Sequence, residues 1–78
     1  MPRYFFTSDD GLSIDTDDEG LEFPDDATAI ANAQEAVAEM ARERLPDGSR
    51  LRLSVTISDA RRVEIYTAQM MFKGDAIG

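Results

Sequence analysis

Hydrophobic and polar positions alternate near the start of the chain. Residues 3–8 alternate in this way and include three aromatic side chains, which is typical of a β-strand. Asp10-Gly11 supplies the positive φ angles of a tight hairpin, so we predict that residues 12–14 return antiparallel to the first strand. A short extended segment follows at 21–23 and ends at Pro24.

The spacing of apolar side chains changes to a helical period between residues 26 and 45. The apolar stripe consists of Ile30, Ala33, Val37, Met40, Ala41 and Leu45. This spacing predicts an amphipathic helix. Asp25 or Asp26 can cap its amino end, and Arg42 and Arg44 suit its carboxyl end. Residues 46–48, Pro-Asp-Gly, predict where the helix stops.

The second half of the chain predicts two more strands. Apolar residues alternate with polar ones over residues 51–58, which indicates a half-buried antiparallel strand. Residues 59–62 predict a turn, and residues 63–72 predict a last strand. The apolar positions of this strand change parity, so we expect a bulge near Tyr66 or Thr67. Residues 74–78 are predicted to form a flexible tail.

The predicted elements follow the order ββαββ in a single domain spanning residues 1–78. A right-handed crossover places the third strand beside the first. We therefore predict an α+β, two-layer fold in which one helix crosses one face of a four-stranded antiparallel sheet with the order 2-1-3-4. The opposite face must then be polar, or covered by a partner. Without cysteine or histidine, oligomerisation is the support left open to so small a core.

The charge of the chain limits its partners. Sixteen acidic and eight basic side chains give a net charge of −8, and residues 1–39 carry eleven acidic side chains against one basic. This balance predicts no nucleic-acid or membrane partner and allows a basic protein partner. The first residues lack the apolar stretch of a signal peptide, and no segment is long enough to span a bilayer, so we expect a cytoplasmic protein.

The sequence offers no recognisable catalytic site. Histidine is absent, the serines fall in turns or alternate along predicted strands, and the single lysine, Lys73, lies near the tail. No nucleophile stands beside a base, and no glycine-rich phosphate loop is present. We therefore expect no enzyme activity and no cofactor.

The acidic segment after the first hairpin has the outline of a calcium-binding loop, with oxygen ligands at alternating positions and Gly20 at the sharp turn. The candidate ligands are Asp15, Asp17, Glu19 and Asp26. Entry from a strand, Glu22 at an apolar position and the intruding Pro24 depart from that pattern. The alternative is a hydrophilic connection whose last aspartates cap the helix.

The last predicted strand is the most informative feature for function. Residues 66–72 contain no charge and no proline, although an edge strand normally carries such residues to block pairing. We predict a homodimer in which this strand pairs with its own copy, or in which the neighbouring sheet face packs on another subunit. The predicted interface residues are Phe5, Tyr66, Ala68, Met70 and Phe72. Alternatively, Lys73 and a bulge blunt the edge, and the methionines fill the core.

Three parts of the sequence together resemble a known family. They are the opening Met-Pro-Arg-Tyr-Phe-Phe, residues 17–25 ahead of the alanine-rich helix, and the closing strand pair. The family consists of short bacterial proteins of rhizobial type, filed as a domain of unknown function, and the resemblance covers nearly the whole chain. It implies a bacterial cytosolic protein without a known activity, substrate or cofactor. Many members have a histidine where this chain has Thr7, so no functional residue is carried over.

Three hypotheses for function follow. The leading one is a small non-enzymatic interaction or regulatory domain that self-associates through the open sheet edge or face. The second is a calcium-binding module at residues 15–26. The third is an acidic mimic of nucleic acid, or an inhibitor of a basic partner. High salt should weaken binding through the aspartates and leave an apolar sheet contact intact.

Overall fold

One helix packs on one face of an antiparallel sheet in this computed structural model, which describes residues 1–44 and 50–77. The described residues contain five strands. The bounds of the elements are Arg3–Asp9 (β1), Ile14–Thr16 (β2), Leu21–Glu22 (β3), Asp26–Arg44 (α1), Arg50–Ser58 (β4) and Glu64–Lys73 (β5).

The strands lie in the order β2-β1-β4-β5, and β3 also pairs with β1. The α+β class with one helix on an antiparallel sheet is thus confirmed, but the four-stranded ββαββ layout differs in detail because β3 is a fifth strand. The registers place Thr16 opposite Thr7 in β2 and Leu21 opposite Tyr4 in β3. Gly20 allows the chain to return to β1, since a Cβ atom there would lie 2.9 Å from the carbonyl oxygen of Tyr4.

The first hairpin turn is longer than predicted, and the return strand begins at residue 14 rather than 12. The Asp10 carboxylate accepts the backbone N–H groups of Leu12 and Ser13, both at 2.9 Å. These hydrogen bonds hold the two residues in the turn. They also lower the pKa of Asp10, with the Ser13 N–H as the largest cause.

The core lies between the helix and the central strands. Its buried side chains are Tyr4, Ala29, Ala33, Val37, Ala41, Leu53, Val55, Ile57 and Ala68. The buried helical positions are mostly alanines, whose small side chains let the helix approach the sheet closely. The predicted stripe is confirmed in part: Ile30 and Met40 are only half-buried, and Leu45 lies outside the described residues.

Both ends of the helix are tied to neighbouring residues. Asp25 caps the amino end by accepting the N–H of Thr28 at 2.8 Å and its hydroxyl at 2.7 Å, and the hydroxyl contact is the main reason that the pKa of Asp25 is lowered. At the carboxyl end, the Arg44 guanidinium lies 2.6 Å from the Asp10 carboxylate. The predicted stop at residues 46–48 lies outside the described residues.

A five-residue connection, residues 59–63, joins β4 to β5. The backbone N–H of Arg62 donates to the carbonyl of Asp59, and Arg62 itself has a φ of 67°, which is typical of a type I turn followed by a left-handed residue. The register then shifts between Ile57 and Ser58. The shift leaves Ile65 as the extra residue, so the predicted bulge is present one position before Tyr66.

The sheet face away from the helix is polar. Four threonines from four strands form a row across it, and the registers pair them in the order Thr16, Thr7, Thr56 and Thr67. This face therefore fits the polar alternative of the sequence prediction. Residues 74–77 form no helix or strand, and their flexibility stays a prediction.

Candidate functional site at the free edge of the sheet

Strand β5 is the outer strand of the sheet. Among the described residues it pairs only with β4, along its whole length of ten residues. No charged residue and no proline occurs between Ile65 and Phe72. An edge of this kind offers a row of backbone donors and acceptors to another strand, because nothing in its side chains repels one.

The pairing with β4 determines which backbone groups point to the free edge. The hydroxyls of Thr56 and Thr67, which face each other in register, lie 3.0 Å apart. Such closely spaced side chains are typical of a non-hydrogen-bonded pair, whose N–H and C=O groups point away from each other's strand. Alternation then directs the backbone groups of Thr67, Gln69 and Met71 to the free edge. Those of Ala68 and Met70 point to β4.

Four of the five predicted interface residues share the helix side of the sheet. Their register partners on β4 are the inward-facing Ile57, Val55, Leu53 and Leu51. The four residues are Tyr66, Ala68, Met70 and Phe72. Ala68 is buried in the core, whereas Met70 is 37% and Phe72 40% exposed. Met70 and Phe72 therefore leave part of their apolar surface accessible from the edge.

The fifth predicted residue, Phe5, lies on the opposite face, where it pairs with Ser58. The Arg62 guanidinium lies 3.6 Å from the centre of the Phe5 ring, a cation–π contact that covers the ring. The structure therefore does not bring Phe5 together with the other four. On the helix side, the Tyr66 hydroxyl accepts a hydrogen bond of 3.0 Å from the Gln34 side chain.

Met71 is the functional candidate that the sequence analysis missed at this edge. It is 71% exposed and projects from the polar face, opposite Arg52. The sequence analysis followed the apolar positions Tyr66, Met70 and Phe72, and Met71 lies on the other face of the strand. The adjacent Met70 and Met71 thus present apolar surface on both sides of the same edge.

The four candidate calcium ligands are dispersed. Asp15 lies on the exposed β2, and the Asp17 carboxylate accepts the backbone N–H of Glu19 at 3.1 Å. The Asp26 carboxylate accepts the Tyr4 hydroxyl at 2.5 Å. Among residues 1–44 and 50–77, no group of three or more acidic side chains could hold a metal ion.

An acidic edge, defined by the exposed Asp15, Asp18, Glu19 and Glu22, borders β1 on the side away from β4. Arg3 lies beside it, 3.3 Å from the Glu22 carboxylate, and donates to the Glu19 carbonyl at 2.6 Å. The acidic edge and the free edge of β5 are therefore separate surfaces.

The helix of the described chain is not long and apolar enough to cross a membrane.

Comparison with known proteins gives one match. The sequence pattern of the family DUF6894, described as a domain of unknown function, matches residues 3–71. No curated protein and no solved structure matches the chain. The match confirms the resemblance to a domain-of-unknown-function family, while bacterial origin stays a prediction. Because residues 3–71 are most of the sequence, the chain belongs to the DUF6894 family.

Proposed function

We propose that the chain is a small non-enzymatic interaction domain that self-associates by pairing β5 with its own copy. The observation that carries the proposal is the outer edge of β5, which pairs with no further strand of the described residues and is uncharged from Ile65 to Phe72. Two copies related by a two-fold axis would then form one continuous antiparallel sheet. The expected cytoplasmic location is part of this proposal.

The direction of the backbone groups suggests a register for the pair. A two-fold axis at Gln69 places each Gln69 opposite its own copy and Thr67 opposite Met71 of the second copy. In an isologous contact of this kind, every pairing occurs twice. All three residues direct their N–H groups to the free edge, so this register would satisfy each of them.

The same register pairs apolar side chains on the helix side. Phe72 of one copy would face Tyr66 of the other, and Met70 would face Ala68. Met70 and Phe72 are 37% and 40% exposed in the single chain, so pairing would remove part of that apolar surface from water. Each square ångström of apolar surface buried contributes about 25 cal/mol. Cross-strand aromatic pairs add to this stabilisation.

Light scattering on the wild type and two variants tests the proposal. The wild-type chain should have twice the 8.6 kDa mass of one copy. Gln69→Lys should reduce the mass to that of one copy, because each lysine would face its equivalent across the axis. Thr16→Lys is the matched control, since it adds the same charge to the same face of the sheet on a different outer strand. Its mass should equal that of the wild type.

A backbone variant checks the same contact independently. Gln69→Pro removes an N–H group that points to the free edge, and edge strands tolerate proline at such positions. It should also yield single copies that keep their fold by circular dichroism. A wild-type chain that stays single at high concentration would overturn the proposal. So would an undiminished mass in both Gln69 variants.

The acidic edge favours a second candidate function, the binding of a basic protein partner. Asp15, Asp18, Glu19 and Glu22 are all exposed, and Glu22 pairs with Arg3. A lysine-rich peptide would then bind more weakly as salt rises. Asp18→Asn/Glu19→Gln should weaken it further without changing the mass of the domain. Binding that is unaffected by salt and by these substitutions would exclude this candidate.

A further inference from the structure

A groove with a volume of about 650 Å³ opens where the sheet narrows to two strands. β1 pairs with β4 only from Ser54 to Ser58, whereas β5 pairs with β4 back to Arg50. The groove lies beside this overhanging part, between the β1–β2 turn and the end of the helix. Its volume is in the range of about 300–1,000 Å³ that is typical of small-molecule sites.

Basic side chains are concentrated in this groove. Four of the eight basic residues of the chain line it, although the net charge is −8. They are Arg44, Arg50, Arg52 and Lys73. Arg44 is paired with Asp10 at 2.6 Å. Within the described residues, the side chains of Arg50, Arg52 and Lys73 form no salt bridge and no hydrogen bond.

The placement of two of these cations is unfavourable for the free protein. Arg50 and Lys73 lie directly opposite each other in the register of β4 and β5. Like charges in this position destabilise a strand pair. An anion between the two side chains would convert the repulsion into two charge-assisted contacts.

Apolar surface lies beside the cations. Leu12 is 90% and Met71 71% exposed, both line the groove, and Met71 projects from the same face of the sheet as Arg50, Arg52 and Lys73. A simple inorganic anion would leave these side chains in water. A ligand with an anionic head and an apolar body would use both kinds of surface.

We propose that this groove binds a small organic anion, a carboxylate or phosphate with an apolar body. Arg50 and Lys73 hold the anionic head, and Leu12 and Met71 contact the body. The inference goes beyond self-association, because it uses the overhang and the basic side chains rather than the outward N–H groups of β5.

Three eight-carbon probes test it by nuclear magnetic resonance titration: octanoate, octyl phosphate and octylammonium. At least one of the two anions should give saturable shifts of the Leu12 and Met71 amides, and the comparison of octanoate with octyl phosphate shows whether a carboxylate or a phosphate is preferred. Octylammonium should give none. Inorganic phosphate alone should bind more weakly than octyl phosphate, because it lacks the apolar body.

Two charge variants complete the test. Arg50→Gln/Lys73→Gln should weaken binding of the preferred anion about tenfold or more, as expected for the loss of charge-assisted contacts. Arg61→Gln, in the turn at the other end of the hairpin, should leave affinity within about twofold. If the double variant fails to fold, Arg52→Gln replaces it and should also weaken binding. The proposal would be overturned if octylammonium or inorganic phosphate bound as tightly as the preferred anion. It would also be overturned if Arg50→Gln/Lys73→Gln, or Arg52→Gln in its place, kept the wild-type affinity, or if neither anion gave saturable shifts.

Discussion

The Tyr4 hydroxyl donates a hydrogen bond of 2.5 Å to the Asp26 carboxylate, which joins the first strand to the first residue of the helix. Tyr4 is 2% exposed, so its hydroxyl needs such a partner. The same carboxylate is one of the candidate calcium ligands. Because this carboxylate already accepts the Tyr4 hydroxyl, a calcium ion at Asp26 would have to compete with that hydrogen bond.

The hydrogen bond from Tyr4 predicts a loss of stability at high pH. The carboxylate of Asp26 stabilises the protonated phenol and raises the pKa of Tyr4 from 10.0 to about 12. A group whose pKa is higher in the folded state contributes its full stability below the unfolded pKa. The contribution should therefore be constant below pH 10 and should fall between pH 10 and about 12.

Urea unfolding across this pH range measures the effect. Tyr4→Phe should show a smaller decline of the unfolding midpoint than the wild type between pH 10 and about 12. Tyr66→Phe serves as the control, since its hydroxyl accepts from an uncharged amide. Its decline should match that of the wild type. Parallel profiles for all three proteins would show that the Tyr4 contact does not contribute.

The return of the chain to β1 predicts a strong requirement for glycine at position 20. Gly20 and Gly11 both have positive φ angles, 78° and 87°, so alanine costs about 1–2 kcal/mol at either position. A Cβ atom at Gly20 would also lie 2.8 Å from the Arg3 side chain and 2.9 Å from the Tyr4 carbonyl, whereas at Gly11 its nearest neighbour is at 3.6 Å. Gly20→Ala should thus lower the free energy of unfolding more than Gly11→Ala. Equal losses would contradict the close approach of this segment to β1.

The dispersed carboxylates predict no ordered calcium binding. Asp26 is engaged with Tyr4, and Asp17 with the N–H of Glu19, so a shared ion would have to break both contacts. Calorimetric titration with millimolar calcium should give no saturable heat. A saturable signal that Asp15→Asn abolishes would contradict this prediction and would revive the calcium-binding hypothesis.

The elements with a regular period could be predicted from the sequence because their period reflects burial. The alternation in residues 51–58 corresponds to β4, in which Leu53, Val55 and Ile57 are buried, and the helical stripe corresponds to the buried face of α1. β3 consists of two residues, which is too short to produce a period. Its pairing depends on the close approach at Gly20, a tertiary contact.

The candidate sites were only partly predictable. The predicted strand order placed residues 66–72 at an edge of the sheet, and β5 is the outer strand. The separation of Phe5 from Tyr66 depends on the registers of β1 and β5 with β4, which the pattern of a single strand does not reveal. The basic groove combines the β1–β2 turn, the helix end and two strands. No local pattern relates segments so distant in sequence.

Amide hydrogen exchange along β5 tests self-association most directly. Exchange of the Thr67, Gln69 and Met71 amides should slow as the concentration of the wild-type chain rises, because pairing would engage these outward N–H groups. In Gln69→Lys, the amides of Thr67 and Met71 should exchange rapidly at every concentration. Ala68 and Met70, which bond to β4, should be protected throughout. Rapid exchange of the three outward amides in the wild type, independent of concentration, would contradict the pairing of β5 with its copy.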